Sequence, residues 1–390
     1  EGVRIVRVYE DSPAERAGLR DGDIILAVDG VSTFGKEPSA VAAEIRGEEG
    51  TSVTLTIQRP TGRLDIAVQR GLVEINPVSW RIEEDVAYIH IESFTSNTSG
   101  SFQKAMDEIE RRGITKILLD LRDNPGGYVD EAVAVARKIV PEGLITKLDF
   151  KSERLSDKEY YSDLKNSPYL LAVLVNENTA SAAEILAGAI QDSGKGVLIG
   201  QKTYGKGVVQ NMFYVLTPEA YAKYGKKYGL HYITSVEWLS YEGVLLDPDD
   251  LLGTIKLTTG HYLTRNGRAI QGVGLAPDIE IADRTLPNGI DLALINPLKN
   301  TATLTLDAYG DDVCQAEKIL RAAGYFNGTP DRRMDQETQE AIRKFQAENR
   351  IPATGDIDAQ TRDKLNERLD ALRAEYDPAY MRGLSLLKSF

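Results

Sequence analysis

Cysteine is nearly absent from this chain: Cys314 stands alone among 390 residues. No internal disulfide can form, so the fold rests on its packing, and scarce cysteine accords with many extracytoplasmic bacterial proteins. Cys314 lies in a helical pattern beside apolar residues and reads as core rather than as a reactive thiol. No Cys/His cluster suggests a metal, and no organic cofactor is called for. Histidine is almost as rare, with only His90, His231 and His261. Basic charge is also short: 46 Lys and Arg face 59 Asp and Glu, for a net charge of −13. That balance argues against nucleic acid, which needs a basic footprint, and leaves peptides open. No apolar run reaches the roughly 18 residues of a membrane span. No secretory leader is visible. Residue 1 reads as falling inside a domain, so a targeting segment is expected to precede it.

What is present falls into successive blocks. Residues 1–72 form a β-rich module. Arg4–Tyr9 reads as a strand, Ser12 and Pro13 open a short helix that Gly18 closes, and Ile24–Val28 is an apolar strand ending at the Asp29-Gly30 turn. Ser39–Arg46 is a short helix. Val53, Leu55 and Ile57 alternate, as do Leu64, Ile66 and Val68, which predicts two half-buried strands. Residues 73–298 alternate strands (Val86–Ile91, Lys116–Leu121, Leu170–Val175, Val197–Gly200) with helices (around Phe102–Ile109, Asp130–Val140 and Ser181–Ser193), the order of an α/β fold. Within that block, 217–252 reads as an irregular, tyrosine-rich insertion, and "GTIKLTTGHYLTRNGRAIQGVGLAPDIEI" as strand, turn and strand. Residues 303–372 switch to three helices, with Asp335 and Asp358 at N-cap positions. Residues 373–390 are left as a tail.

The chemistry concentrates in three places. Ser181 ends the turn "NENTAS" between a buried strand and a helix, so the Ala182 N–H lacks an intrahelical acceptor and sits in the positive end of the helix dipole. That suits an oxyanion; on its own, a serine there is more often a plain helix cap. The turn "RDNPGG" carries Gly126 and Gly127, whose backbone can approach a ligand and aim N–H groups at it. In "TYGKGVVQ", Lys206 lies between two glycines, as a lysine pressed into a crowded site would. Gln210 is four residues on, which places it on the same strand face. Glu184, near N3 of the helix after Ser181, reads as a capping-box acid or as a carboxylate supporting the site. Arg122 and Asp123 could pair beside the glycine turn. His90 leaves a serine–histidine arrangement open on paper.

"SPAERAGLRDGDIILAVDG" resembles a bacterial PDZ domain, whose first strand and carboxylate-binding loop are expected before Glu1. "QAEKILRAAGYFNG…DQETQEAIRKFQAENRIPATGDIDAQTRDKL" resembles the three-helix peptidoglycan-binding domain, with "DRRMDQET" in place of its usual glycine-bearing turn. "DLRDNPGG", "NENTASAAEILAGAIQD", "GQKTYGKGVVQ" and "LTRNGRAIQGVGLAPDIEI" together resemble the C-terminal-processing (tail-specific) serine proteases. That resemblance implies a crotonase-like α/β core and a serine endopeptidase. Ser181 would be the nucleophile, Lys206 the base and Gln210 the residue that orients it. The N–H groups of Ala182 and of Gly126 or Gly127 would be the oxyanion donors. It also implies an unstructured or C-terminal protein substrate, presented or gated by the PDZ domain, a homodimer, and an extracytoplasmic, cell-envelope setting with peptidoglycan as a partner. The insertion at 217–252 departs from the family, which has a short turn there. A non-catalytic binding or scaffold protein at the envelope is the rival reading.

For a lysine to act as base it must be neutral. The ordinary lysine pKa is about 10.4, so work near neutral pH needs a downward shift of roughly three units, about 4 kcal/mol. The expectation is a buried Lys206 with no carboxylate partner.

Overall fold

The computed structural model describes every residue except 1, 6, 7, 10, 11, 21, 60, 61, 74, 75, 152–155, 283–285, 287–289 and 300, and the side chain of Glu237. These residues divide into two units, Glu1–Asn76 with Asp283–Met381, and Pro77–Ala282 with Arg382–Phe390.

The N-terminal module of the first unit runs β1 (Val3–Arg4), α1 (Pro13–Arg16), β2 (Ile24–Val28), β3 (Val31–Ser32), α2 (Pro38–Ile45), β4 (Ser52–Arg59) and β5 (Gly62–Gln69). The first strand is shorter than Arg4–Tyr9, and residues 6 and 7 of that expectation lie outside the described residues. Strand alternation buries Val53, Leu55, Ile57, Ile66 and Val68 on one face, as the period of two requires. Ser12 caps α1 through the Glu15 N–H at 3.1 Å. The helical module of the same unit has α8 (Asp311–Ala322), α9 (Gln336–Glu348) and α10 (Ala359–Tyr376). Asp335 and Asp358 accept from the N–H groups of Thr338 and Thr361, each at 2.8 Å. In the turn before α9, Arg332 takes φ +66°. The glycine-type conformation survives there without glycine, at roughly 1–2 kcal/mol of strain. Cys314 is buried on α8, and burial raises its thiol pKa. The stretch expected as a tail is helical: α10 continues to Tyr376 and α11 (Pro378–Lys388) follows.

The second unit holds two sheets. One is ordered β16-β12-β11-β8-β7-β6, from β6 (Val78–Glu83), β7 (Val86–Ile91), β8 (Lys116–Asp120), β11 (Leu170–Val175), β12 (Gly196–Gly200) and β16 (Ile279–Glu280). All its pairings are parallel except β6 with β7. The helices α3 (Thr98–Arg111), α4 (Val129–Ile139) and α5 (Ala182–Asp192) supply the crossovers. Apolar runs such as "LLAVLV" are buried almost throughout, as a covered parallel sheet demands. The other sheet is antiparallel, ordered β10-β9-β15-β13-β14, from β9 (Gly143–Phe150), β10 (Lys158–Ser162), β13 (Val208–Leu216), β14 (Ile233–Ser235) and β15 (Leu251–Thr264).

The insertion is ordered rather than irregular. It forms α6 (Pro218–Tyr228), β14 and α7 (Val236–Tyr241) around a small core of Leu216, Ala220, Leu230 and Leu239. Its tyrosines obscured the helical period: Tyr221 stacks on Tyr232 with ring centroids 4.0 Å apart. After β15, the expected second strand is reduced to an isolated bridge, Leu263 with Ala269, and the short β16. Residues 382–390 cluster with this unit, where Lys388 pairs with Glu84 at 3.0 Å.

Candidate active site

Parallel neighbours β8 and β11 end side by side, so the loops leaving their carboxyl ends meet, which is where open α/β sheets place ligands. Side-chain amides tie the two loops together. Asn176 and Asn178 donate to Asp123 at 3.0 and 2.7 Å, and the Ala180 N–H donates to the Asn124 carbonyl at 2.9 Å. Asn124 is fully buried. Its amide donates to the Ile91 carbonyl at 2.8 Å and its Oδ1 accepts from the Gly126 N–H at 2.8 Å.

Ser181 follows this junction at the start of α5 with φ +57° and ψ −120°, a conformation L-residues rarely adopt. Gly126 (φ +96°) lies against it: a Cβ there would fall 2.7 Å from the Ser181 Cβ and 2.9 Å from the Ala182 nitrogen. A Cβ on Gly127 would fall 2.1 Å from the Phe94 carbonyl oxygen. Both glycines are therefore required by close approach. The Gly126 N–H is spent on Asn124, whereas the N–H groups of Gly127 and Ala182 meet no acceptor among the described residues.

Glu184 is the centre of the arrangement. Its carboxylate is fully buried and accepts four hydrogen bonds: Oε1 from Thr203 Oγ1 (2.6 Å) and the Gly205 N–H (2.8 Å), Oε2 from the Ser181 N–H (2.9 Å) and the Lys206 N–H (2.8 Å). One oxygen thus holds the backbones of Ser181 and Lys206 together, and both expected roles, cap and site support, belong to the same side chain.

The glycines flanking Lys206 have a different reason from the one expected. Gly205 takes φ +86°, and a Cβ on it would fall 2.8 Å from the Gly274 nitrogen; one on Gly207 would fall 2.6 Å from the Gln271 nitrogen. The backbone of 270–274 does the crowding, and Gln271 Oε1 accepts the Gly207 N–H at 2.8 Å. Lys206 itself is half-buried rather than buried, because it precedes β13 instead of lying inside the sheet. Its amine meets no carboxylate among the described residues, and no hydrogen bond joins it to the Ser181 hydroxyl in this conformation. Gln210 is exposed on β13, and Lys206 lies just before that strand; the register with β15 shifts between Val209 and Gln210, where β15 carries the extra residue, Thr259. Arg122 pairs with Asp120, not with Asp123. His90, half-buried on β7, lies in register with Asp120. Asn124, Thr203 and Gln271 escaped the sequence reading; each stands inside or beside one of the motifs, but only tertiary contacts reveal its partner.

The model for peptidase family S41 matches residues 85–281. A probable CtpA-like serine protease of Staphylococcus aureus (strain N315) is 31% identical over 391 residues, covering 99% of this chain and 70% of that protein. The chain belongs to peptidase family S41. It is a serine protease of CtpA-like type. A PDZ domain model matches residues 4–59, and a putative peptidoglycan binding domain matches 309–365. The corresponding protein of Staphylococcus epidermidis is 31% identical over 371 residues, 95% of this chain and 67% of that protein. Among solved structures, the photosystem II D1 C-terminal processing protease is 27% identical, with 73% of this chain and 69% of that chain covered and a TM-score of 0.41. Among the described residues no helix is long and apolar enough to cross a membrane.

The loop that brings the glycines in starts from a buried ion pair. Asp120, at the end of β8, accepts from Tyr88 Oη at 2.9 Å and from Arg122 Nη2 at 2.7 Å. Burial pushes its pKa up, but the Arg122 guanidinium overrides this and the carboxyl sits below its ordinary value. A depressed folded pKa contributes stability above the unfolded value of about 3.9, lost as pH falls through the lower folded value. Replacing Arg122 by methionine strands the Asp120 charge. It is expected to cost about 3–5 kcal/mol at pH 7, and the deficit should shrink as pH falls, first as the stranded, burial-raised carboxyl of the variant protonates and until the lowered wild-type one does. Urea midpoints of both proteins across pH 3–8 (roughly the span over which carboxylates titrate) check this; a deficit independent of pH would refute it.

Proposed function

We propose that this serine protease is an endopeptidase with a Ser181–Lys206 dyad. The neutral Lys206 amine takes the Ser181 hydroxyl proton as the oxygen attacks the scissile carbonyl. The tetrahedral oxyanion is received by the N–H groups of Ala182 and Gly127. The lysine then returns the proton to the leaving amine, an ester on Ser181 remains, and water hydrolyses it. Gln210 orients the lysine, as the resemblance implies. The observation that carries this reading is the shared Glu184 oxygen, which holds the two backbones together beside an N–H pair that meets no acceptor among the described residues.

The substrate is an unstructured or C-terminal region of a protein, which the PDZ domain presents by strand addition or uses to gate the site. The helical domain directs the enzyme to peptidoglycan at the cell envelope, outside the cytoplasm, and the working form is a homodimer. The test is cleavage of an unfolded polypeptide with an apolar C-terminus. Ser181→Ala is expected to remove cleavage altogether and Lys206→Ala to slow it roughly 10²–10⁴-fold, both without loss of folding. Wild-type rates in either variant would sink the dyad.

A further inference from the structure

One buried polar atom in the core of the second unit is left over by this mechanism. Tyr262, on β15, is 2% exposed and packs within the main hydrophobic core. Its hydroxyl oxygen is enclosed and meets no partner with hydrogen-bond geometry. An enclosed, unsatisfied hydroxyl is unfavourable by about 1–3 kcal/mol, so its persistence asks for a use. The polar side chains that act on this hydroxyl are those of Ser181 and Glu184. The Tyr262 backbone is fixed beside the lysine loop, since its N–H donates to the Gly207 carbonyl at 3.1 Å. On β15, its neighbour His261 is in register with Val208 and Tyr262 itself with Leu148, so the backbone here is held by both flanking strands.

Resting on the dyad reading, we propose that Tyr262 is a positioning residue for the nucleophile: its hydroxyl donates a hydrogen bond to Ser181 Oγ and selects the rotamer in which the serine proton points at Lys206. The phenol has a donor to give and no competing acceptor among the described residues, and a serine oxygen can accept this bond while donating its own proton. Burial first, and the nearby Glu184 charge, raise the phenol pKa and are opposed only by Ser181, so the hydroxyl stays protonated and remains a donor. Formation of this bond is a matter of side-chain rotamers rather than of the fold.

Tyr262→Phe removes the oxygen and keeps the ring. The readouts are the rate at which a fluorophosphonate probe labels the protein, kcat and KM on the unfolded polypeptide, and the melting temperature, with Ser181→Ala in parallel. Positioning predicts labelling and kcat lower by roughly 10–100-fold, KM unchanged, and a melting temperature equal to or above wild type, because an unsatisfied hydroxyl has been deleted. Labelling within twofold of wild type overturns the proposal while leaving the dyad intact. A fall in melting temperature that accompanies lost labelling overturns it as well, since the hydroxyl would then be holding the fold. Labelling that survives in Ser181→Ala removes the dyad reading, and the role of Tyr262 with it.

Discussion

Glu184→Ala should be the most damaging single substitution in the chain outside the nucleophile itself. It leaves four donors without their acceptor, two of them on buried groups, Thr203 and Gly205. Each unsatisfied buried donor costs about 1–3 kcal/mol, so a loss of about 4 kcal/mol or more is expected, a large part of the 5–15 kcal/mol that holds a typical domain together. Glu184→Gln separates stability from activity. Its amide oxygen can still accept from one side, while its NH2 group is set against the N–H donors of the other. The glutamine protein should remain folded but cleave roughly 10²-fold more slowly or worse, because Ser181 and Lys206 are no longer held by one atom. Urea titration and turnover of the unfolded polypeptide measure the two effects. Stability within 1 kcal/mol of wild type in Glu184→Ala, where about 4 or more is expected, would show that the carboxylate is not the clamp described.

Gly126→Ala carries the second large effect, and acts on geometry alone. The added methyl would fall 2.7 Å from the Ser181 Cβ and 2.8 Å from the Ala180 carbonyl oxygen, the root of a side chain and a backbone atom that cannot yield without moving Ser181. The residue also holds φ +96°, which alanine adopts only under strain. We expect cleavage to fall by roughly 10²-fold or more. Gly113→Ala is the matched comparison. It too has positive φ, +67°, but nothing stands within 4 Å of its would-be Cβ. It should cost about 1–2 kcal/mol of stability and leave turnover per folded molecule unchanged. Similar activity losses in the two variants would mean that backbone strain, rather than contact with Ser181, explains both.

The sequence carried much of this in local form. A buried strand, a polar turn and a helix beginning beside Ser181 could be read from one window of residues, as could the glycine turn and the glycine-flanked lysine. Those signals are local because each reflects a backbone requirement of its own segment. What they could not carry was the partner of each segment. Glu184 at the third position of a helix looks like a capping acid in isolation, and it is one; its bonds to Thr203, Gly205 and Lys206 arise only when β12 returns the chain beside α5. Gly205 and Gly207 look like room made for a lysine, yet the space is taken by the backbone of residues 270–274. The bulge that sets the extra residue Thr259 of β15 opposite Val209 and Gln210 is likewise announced by no side-chain alternation. The insertion misled for another reason: tyrosine serves equally in strands, helices and stacked loops, so Tyr221, Tyr224 and Tyr228 did not advertise the helix they form.

The doubly shared oxygen of Glu184 also bears on when the site comes into being as the chain folds. A carboxylate in water has no reason to hold two amide N–H groups from distant parts of a chain, because solvent competes for every one of them. It gathers Ser181 and Lys206 only once α5 and the strands around it have closed and dried the interior. Until then nothing holds the backbones of Ser181 and Lys206 together. The arrangement is thus a product of the whole fold and of no single segment.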